Sequence, residues 1–479
     1  MLKKYFLSNI IFLVIVNVLV KPIWVFVVDR NVQFRVGHED YGMYNALFSL
    51  SVMLNILLDM GITNYNSRQL STNHSFQREY LPNMIMAKLL LSGLYLAIVF
   101  IVASSLGYEG RMLYLLLLLG ILQMLNSMLQ YIRSCISAHQ EFKLDGFLSI
   151  IDKIMVVLVC VYWIFGMPES SINLEWFVGI QIMAYLTSCL IGFIIVITRY
   201  SRFDFSQLSV SKIRILLKSS IPYALLILLM GIYTRSDSLM LERLSGATAN
   251  SLYVSTYRIL DVANMLGFLF AGILLPLFSR LLSQQIDISK IIITSGNILL
   301  VVSLFMLSVS IVFSEELMTL LYKDYYQDLL VLFPITISAF PAFCLMYIFA
   351  TLLTAGGHIQ LLLKIASIGV LVNLCLNYIL ISQWSELGAA LSCTITQWLL
   401  SISFILFSIQ RFKPTLPTYW WWRFVLFFGL CVSMSWGLHY LIGSMIWSLS
   451  VSGIGALGLA YITGLWDKNE LKQYMSQFK

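Results

Sequence analysis

Long apolar runs separated by short polar segments make up most of the sequence. Cutting the chain at charged clusters and turn residues leaves runs of about 20 residues, the length that an α-helix needs to cross a bilayer. Fourteen such spans are predicted, near 6–28, 42–60, 83–106, 112–132, 147–166, 175–198, 219–240, 251–276, 291–313, 329–353, 361–381, 387–408, 420–440 and 443–465. The pattern therefore predicts an all-α, polytopic membrane protein without a large soluble domain.

Composition and charge support this interpretation and add an orientation. The chain is 59% hydrophobic and 11% charged, whereas a soluble domain is roughly 25% charged. Its lysines and arginines concentrate on alternate connections, including 61–82 and 199–218, so the positive-inside rule predicts both termini in the cytoplasm. The basic residues are not clustered with aromatic residues as nucleic-acid binding requires. Tryptophans near span ends, Trp420 among them, are expected at the membrane interface.

Two short sequence matches indicate an internal repeat. VGHEDYGMY, from Val36 to Tyr44, aligns with SGATANSLY, from Ser245 to Tyr253, at an offset of 209. SCISAHQEF, which starts at Ser134, aligns with TLLTAGGHI, which starts at Thr351, at an offset of 217. Each match follows the corresponding span of a six-span unit. Because six is even, the two copies share an orientation, and a cavity between two lobes is expected.

The repeat predicts four segments. They are an N-terminal six-helix lobe at 1–200, a cytoplasmic amphipathic linker at 201–218, a C-terminal six-helix lobe at 219–410, and two additional helices with a cytoplasmic tail at 411–479. The linker is expected to lie in the membrane surface, because its apolar residues share a helical face opposite Lys212 and Arg214.

Four stretches in this order resemble the multidrug/oligosaccharidyl-lipid/polysaccharide exporter superfamily, in its polysaccharide and lipid-linked oligosaccharide flippase branch. They are GHEDYGMYNALFSLSVMLNILLDMG, IPYALLILLM, YRILDVANMLGFLFAGILLPLFSR and LMTLLYKDYYQDLLVLFPI. The predicted number of fourteen spans also resembles that of the lipid II flippases. The resemblance implies a fold like that of the multidrug and toxic compound exporters, a bacterial cytoplasmic (inner) membrane location and transport rather than enzymatic activity.

Charged residues inside predicted spans indicate a function, because inserting each at mid-bilayer costs roughly 2.5–3.5 kcal/mol of free energy. Lys21 on span 1, Arg235 on span 7 and Arg258 on span 8 lie on helices that flank the expected cavity. Arginine and lysine bind phosphate, so we hypothesise that these three hold a lipid diphosphate. Arg30 near the outer mouth is a further candidate, or a solvated end charge. Pairing of Arg258 with Asp261, three residues later, is the alternative.

Other charged residues receive simpler interpretations. Lys88, Lys153, Lys364 and Arg423 lie near the cytoplasmic face, where long side chains extend to water and anchor helices. Asp59 ends span 2, where a capping or gating role is favoured over contact with substrate.

A second set of residues is a candidate site for a coupling cation. The resemblance to the lipid II flippases, whose sodium site uses spans 7, 11 and 12, assigns that role to Asp237, Asn373, Asn377 and Thr394. Their hard oxygen atoms suit a small cation. Asn377 is an amide where those flippases have a carboxylate, which weakens the expected affinity. The alternative is that the two asparagines hydrogen-bond helix to helix. No cofactor is predicted, and the coupling ion is Na⁺ or H⁺.

The leading hypothesis is a monomeric flippase that moves a polyprenyl-diphosphate oligosaccharide, such as an O-antigen or other surface polysaccharide repeat unit, to the outer leaflet by alternating access. Its partners are that substrate and membrane lipids, with spans 13 and 14 guiding the lipid tail. A cation-coupled multidrug exporter is the first alternative, although a basic cavity disfavours cationic drugs. A membrane-embedded glycan polymerase, ligase or acyltransferase is the second, although the outer loops are short and no histidine lies mid-span.

Overall fold

The computed structural model describes residues 23–63, 66, 70, 75–139, 141–166, 173–200, 208–322, 326–442 and 444–465. A π-helical segment, Trp24–Asp29, opens this part of the chain. The helices that follow are α1 (Arg30–Val36), α2 (His38–Met53), α3 (Ile56–Asp59), α4 (Ser75–Ser105), α5 (Arg111–Ala138), α6 (Phe142–Gly166), α7 (Leu174–Arg199), α8 (Val210–Ser245), α9 (Ala247–Ser283), α10 (Ser289–Val312), α11 (Ser314–Leu321), α12 (Tyr326–Ile337), α13 (Ala339–Ala355), α14 (Ile359–Phe412), α15 (Thr418–Ile442) and α16 (Met445–Ile462).

Ten helical stretches within these ranges are long and apolar enough to cross a membrane. This confirms the prediction of an all-helical, multi-pass membrane protein, while the number fourteen stays a prediction. One of the ten, α14, holds two predicted spans, because Ser385 interrupts it with φ 50° and ψ −126°. Gly388 lies so close to the backbone of Leu380 and Ile381 that a Cβ atom would collide with both. The predicted turn between spans 11 and 12 is therefore a tight hairpin that requires glycine.

Contacts divide the chain into two compact units, Met1–Ser251 and Leu252–Lys479. The first unit includes α8, which the repeat places at the start of the second lobe, so the predicted lobe boundaries stay a prediction. Residues 210–218 of the predicted linker form the first turns of α8. This helix of 36 residues is about 54 Å long, well beyond the roughly 30 Å hydrocarbon core of a bilayer.

In the first unit, α5 packs along α7 and α2 packs along α8. A cluster of buried apolar side chains from α4, α5 and α7 lies at the centre of this packing, and Leu81, Met84, Leu129 and Ile132 belong to it. Gly192 of α7 allows close packing, because its Cα lies against the side chain of Ile132. The unit is thus held by interdigitated apolar side chains, as in other helical membrane proteins.

In the second unit, α13 packs against α14, α10 packs against α13 and α15, and α15 packs against α16. Trp420 at the start of α15 is 1% exposed. A Cβ atom on Gly296 of α10 would lie 2.5 Å from its Cζ2 atom, and the indole donates to Asn297 Oδ1 at 2.7 Å. Gly296 and the Asn297 amide thus bury Trp420 within the unit, and its position at the depth of the membrane interface stays a prediction.

Candidate functional site

Two pairs of helices are each joined by a single glycine, and both glycines lie in the first unit. Gly37 separates α1 from α2 with φ 88° and ψ 165°, and Gly246 separates α8 from α9 with φ 96° and ψ 167°. Positive φ values favour glycine, which has no Cβ atom to clash. The repeat aligns these two glycines, and the two turns have the same backbone conformation. We refer to the Gly37 and Gly246 turns, with residues 33–42 and 246–251 around them, as the paired turns.

The paired turns are in direct contact. A Cβ atom on Gly42 would collide with the carbonyl group of Ala247. Asn250 donates to the carbonyl oxygen of Gly42 at 2.8 Å and accepts from Ser238 Oγ at 2.7 Å. Both the close approach and the hydrogen bonds hold α2 against the start of α9.

A second set of hydrogen bonds joins the same turns. Gln33 Nε2 donates to Ser251 Oγ at 2.8 Å, and Ser251 Oγ lies 3.0 Å from His38 Nδ1. Gln33 is 1% exposed and Ser251 is 0% exposed, so these bonds are shielded from water. Removing one partner while the others stay buried would leave a polar group unsatisfied, so these bonds stabilise the contact between the turns.

Charged and aromatic residues surround the paired turns. Tyr108, between α4 and α5, donates to Glu242 Oε2 at 2.7 Å, and the Arg243 guanidinium lies 3.6 Å from the centre of the Tyr108 ring. Burial, assisted by the Glu242 carboxylate, raises the pKa of Tyr108, so it remains a donor. Arg243 also donates to the carbonyl oxygen of Leu106 at 2.8 Å. The end of α8 is therefore fastened to the connection between α4 and α5.

The predicted phosphate ligands are placed in different surroundings. Arg235 of α8 lies over the ring of Phe48 on α2, 5.5 Å from its centre, and Phe48 in turn stacks on Tyr44 at 6.1 Å. Arg30 lies over Phe34 of its own helix at 5.2 Å. Arg258 is buried on α9 in the second unit, and Lys21 lies outside the described residues. Their role in binding phosphate stays a prediction.

Among the described residues, Arg235 forms no ion pair and no side-chain hydrogen bond. A guanidinium that rests on an aromatic face uses its own face for that contact and keeps its N–H edge for oxygen atoms. Arg235 is therefore the residue of this set whose surroundings best suit an anionic ligand.

The predicted cation ligands are divided between the two units. Asp237 is buried in the first unit at 5% exposure. In the second unit, Asn377 Nδ2 donates to Asn373 Oδ1 at 3.2 Å, which confirms that the two amides share a helix face. Ser392 donates to the carbonyl oxygen of Asn373 at 3.3 Å, and Thr394 donates to that of Ile335 at 3.0 Å. Binding of a cation by these residues stays a prediction.

One buried polar cluster escaped the sequence reasoning. Lys88 of α4 is 2% exposed and forms an ion pair of 2.5 Å with Asp59 at the end of α3. The prediction that Lys88 extends to water is wrong, because its ammonium group finds a carboxylate inside the unit. Asp59 also accepts from the backbone N–H of Thr63 at 3.2 Å, which confirms its expected capping role. The only signal in the sequence was the presence of both charges in apolar surroundings.

The helical membrane fold and its repeated turns agree with the comparisons to known proteins. The chain belongs to the family described as "Polysaccharide biosynthesis protein", whose model matches residues 6–282. It is 24% identical over 379 residues to the capsular polysaccharide biosynthesis protein CapF of Staphylococcus aureus, covering 77% of this chain and 91% of that protein. The predicted relation to polysaccharide biosynthesis proteins is thereby confirmed.

Two solved structures share the fold. The inward closed conformation of the lipid II flippase MurJ has a TM-score of 0.75 at 13% identity and covers 96% of this chain and 98% of that one. The inward-facing conformation of a multidrug resistance MATE family transporter of the MOP superfamily has a TM-score of 0.67 at 11% identity. That match covers 84% of this chain and 94% of that one. The predicted exporter-like fold is confirmed.

Proposed function

We propose that this protein is a flippase that moves a polyprenyl-diphosphate-linked oligosaccharide, the repeat unit of a surface polysaccharide, across the cytoplasmic membrane. Membership of the polysaccharide biosynthesis family and the MurJ-like fold support a transport role rather than an enzymatic one. The protein would act as a monomer with both termini in the cytoplasm, driven by Na⁺ or H⁺.

The observation that carries the proposal is the environment of Arg235. Its charge lies on a predicted membrane span, over Phe48 and without a carboxylate partner among the described residues. A positive charge within a membrane span and without a carboxylate partner favours an anionic ligand. A diphosphate offers oxygen atoms for a bidentate contact with the guanidinium group. Arg258, Lys21 and Arg30 would contribute further positive charge along the path of the substrate.

The paired turns supply a closure consistent with alternating access. They join segments that the repeat assigns to different lobes, through contacts such as Asn250 with Gly42 and Gln33 with Ser251. We infer that this contact closes the outer side while the substrate enters from the cytoplasmic side. It would open when the oligosaccharide is released outside, with the lipid tail following α15 and α16.

Reorientation of a fluorescent polyprenyl-diphosphate oligosaccharide in proteoliposomes tests this function. Arg235→Ala should reduce the transport rate about 10-fold or more, because a hydrogen bond to a charged group contributes roughly 1.5–3 kcal/mol. Arg235→Lys should keep part of the activity, since it retains the charge but not the fork. Arg199→Ala is the matched control, as that arginine is exposed and paired to Glu141 at 3.2 Å.

Two results would contradict the proposal. One is transport by folded Arg235→Ala at the wild-type rate. The other is export of a cationic dye with no movement of the diphosphate lipid, which would favour the cation-coupled multidrug exporter.

A further inference from the structure

The cluster around Lys88 in the first unit has the ligand arrangement of a cation site. The three hydrogens of the Lys88 ammonium group are directed at three oxygen atoms of different kinds. Nζ lies 2.5 Å from Asp59 Oδ1, 2.8 Å from Ser127 Oγ and 3.2 Å from the carbonyl oxygen of Ser127. Carboxylate, hydroxyl and carbonyl oxygens are also the ligands that alkali and other hard cations take in proteins.

The backbone around Asp59 is shaped to present its carboxylate to this position. Helix α3 ends at Asp59, and the next two residues, Met60 at φ 42° and Gly61 at φ 80°, adopt left-handed conformations. The chain then returns so that the backbone N–H of Thr63 donates to Asp59 Oδ2 at 3.2 Å, and the Thr63 hydroxyl also donates to the carboxylate. The carboxylate is thus fixed by its own turn, independently of Lys88.

The remaining ligands are fixed in the same way. Ser127 belongs to the middle of α5, and its hydroxyl also lies 3.4 Å from the carbonyl oxygen of Leu58. The ring of Tyr131, one turn further along α5, lies with its centre 5.8 Å from Lys88 Nζ. A negative carboxylate, two further oxygen atoms and an aromatic ring therefore surround one point, and this environment favours a cation.

We propose that the Lys88 ammonium group is a tethered cation that permanently occupies a monovalent-cation site built by Asp59 and Ser127. An ammonium group and a potassium ion have similar radii and both bind hard oxygen atoms. With the lysine in place, the site does not exchange ions with the solution. Without it, the same oxygen atoms bind a small monovalent cation or a primary alkylammonium ion.

Thermal unfolding of the full-length protein in detergent tests this proposal. Wild type and Lys88→Ala are compared at constant ionic strength in choline, potassium, sodium and ethylammonium chloride. Wild type should give the same Tm in all four salts. Lys88→Ala should lose about 5 °C or more in choline. It should regain at least half of that loss, in a saturable manner, in potassium or ethylammonium.

Two variants control the experiment. Asp59→Asn/Lys88→Ala lacks the carboxylate, and its Tm should be the same in the four salts. Lys153→Ala removes a partly exposed lysine whose Nζ lies 3.5 Å from Asp152, and it should respond to salt identity no more than wild type does. Together they separate binding at this site from general effects of the ions.

Three outcomes would overturn the proposal. The first is a Lys88→Ala protein that is as stable as wild type in choline. The second is a destabilised Lys88→Ala protein with the same Tm in every salt, or one that fails to fold in every salt while Asp59→Asn/Lys88→Ala folds. The third is a recovery by potassium that persists when Asp59 is also replaced by asparagine.

Discussion

Lys88 on α4 of the first unit and Asn297 on α10 of the second are polar residues within apolar helices, and their polar groups are satisfied in different ways. Lys88 lies within an oxygen-lined site made by α3 and α5, both part of the first repeat. Asn297 accepts a hydrogen bond from Trp420 on α15, which lies beyond the predicted repeat. The polar group of Lys88 is therefore satisfied within the first repeat, whereas the Asn297 side chain takes its partner from a helix beyond the second.

This difference assigns α15 a structural role. Trp420 is fully covered against Gly296 and Asn297, so one end of α15 is part of the packing of the second unit. Other faces of α15 are uncovered, since Trp422 is 70% exposed and Trp436 is 69% exposed.

The largest effect is expected when the charge pair of the first unit is broken. Asp59→Asn leaves a buried ammonium group without a counter-charge, and it should lower the free energy of unfolding by about 3–5 kcal/mol. Chemical unfolding in detergent measures this loss. Asp145→Asn, which breaks a less buried pair with Arg133, is the control and should cost less. Equal losses in both variants would show that burial of the pair is irrelevant.

A smaller effect is expected when an added methyl group crowds the contact between Gly296 and Trp420 in the second unit. Gly296→Ala places a Cβ atom 2.5 Å from Trp420 Cζ2 and should cost about 1–3 kcal/mol. Gly93→Ala on α4 is the control, because nothing lies within 4 Å of an added Cβ there, and it should be neutral or slightly stabilising. A neutral Gly296→Ala would mean that Trp420 is not seated on α10.

Removal of the indole hydrogen bond isolates the polar part of that contact. Trp420→Phe keeps most of the ring but leaves Asn297 without its donor, and the expected loss is about 1 kcal/mol. Trp422→Phe changes an exposed neighbour and should have no measurable effect on unfolding. If the two variants behave alike, the hydrogen bond to Asn297 contributes nothing to the second unit.

The smallest effect is expected at the exposed ion pairs of the first unit. Arg111 bridges Asp40 at 3.1 Å and Glu175 at 2.6 Å, with its side chain 49% exposed. Arg111→Ala should cost only about 0.2–1 kcal/mol, and the difference from wild type should shrink as salt is raised. A loss as large as that of Asp59→Asn would remove the distinction between buried and exposed charges on which the comparison depends.

The sequence predicted those parts of the fold that local pattern determines. Hydropathy located the membrane helices, and the alignment of Gly37 with Gly246 identified two turns with the same backbone conformation. The break between spans 11 and 12 was expected close to Ser385, where polar residues interrupt the apolar run. In each case the information lies within about 10 residues of the feature, as it does for helical periodicity and turn chemistry.

The parts that were missed depend on distant partners. Lys88 was assigned to the membrane surface from its depth alone, because nothing near it indicates that Asp59, 29 residues earlier, faces it. A tryptophan near a span end is expected at the membrane interface, but nothing near Trp420 in the sequence indicates that it is also buried against α10. Its acceptor, Asn297, is 123 residues away. Side-chain pairing between helices is set by packing, which a single sequence does not reveal.

The single-residue length of the paired turns has a mechanical consequence. Each joint consists of one glycine, so only two backbone dihedral angles set the angle between the helices on either side. Such a joint has no further loop residues whose conformation could change when one of the helices moves. A change in the angle between the two helices of a pair must therefore be made at that one glycine, because no loop residues are present to share it.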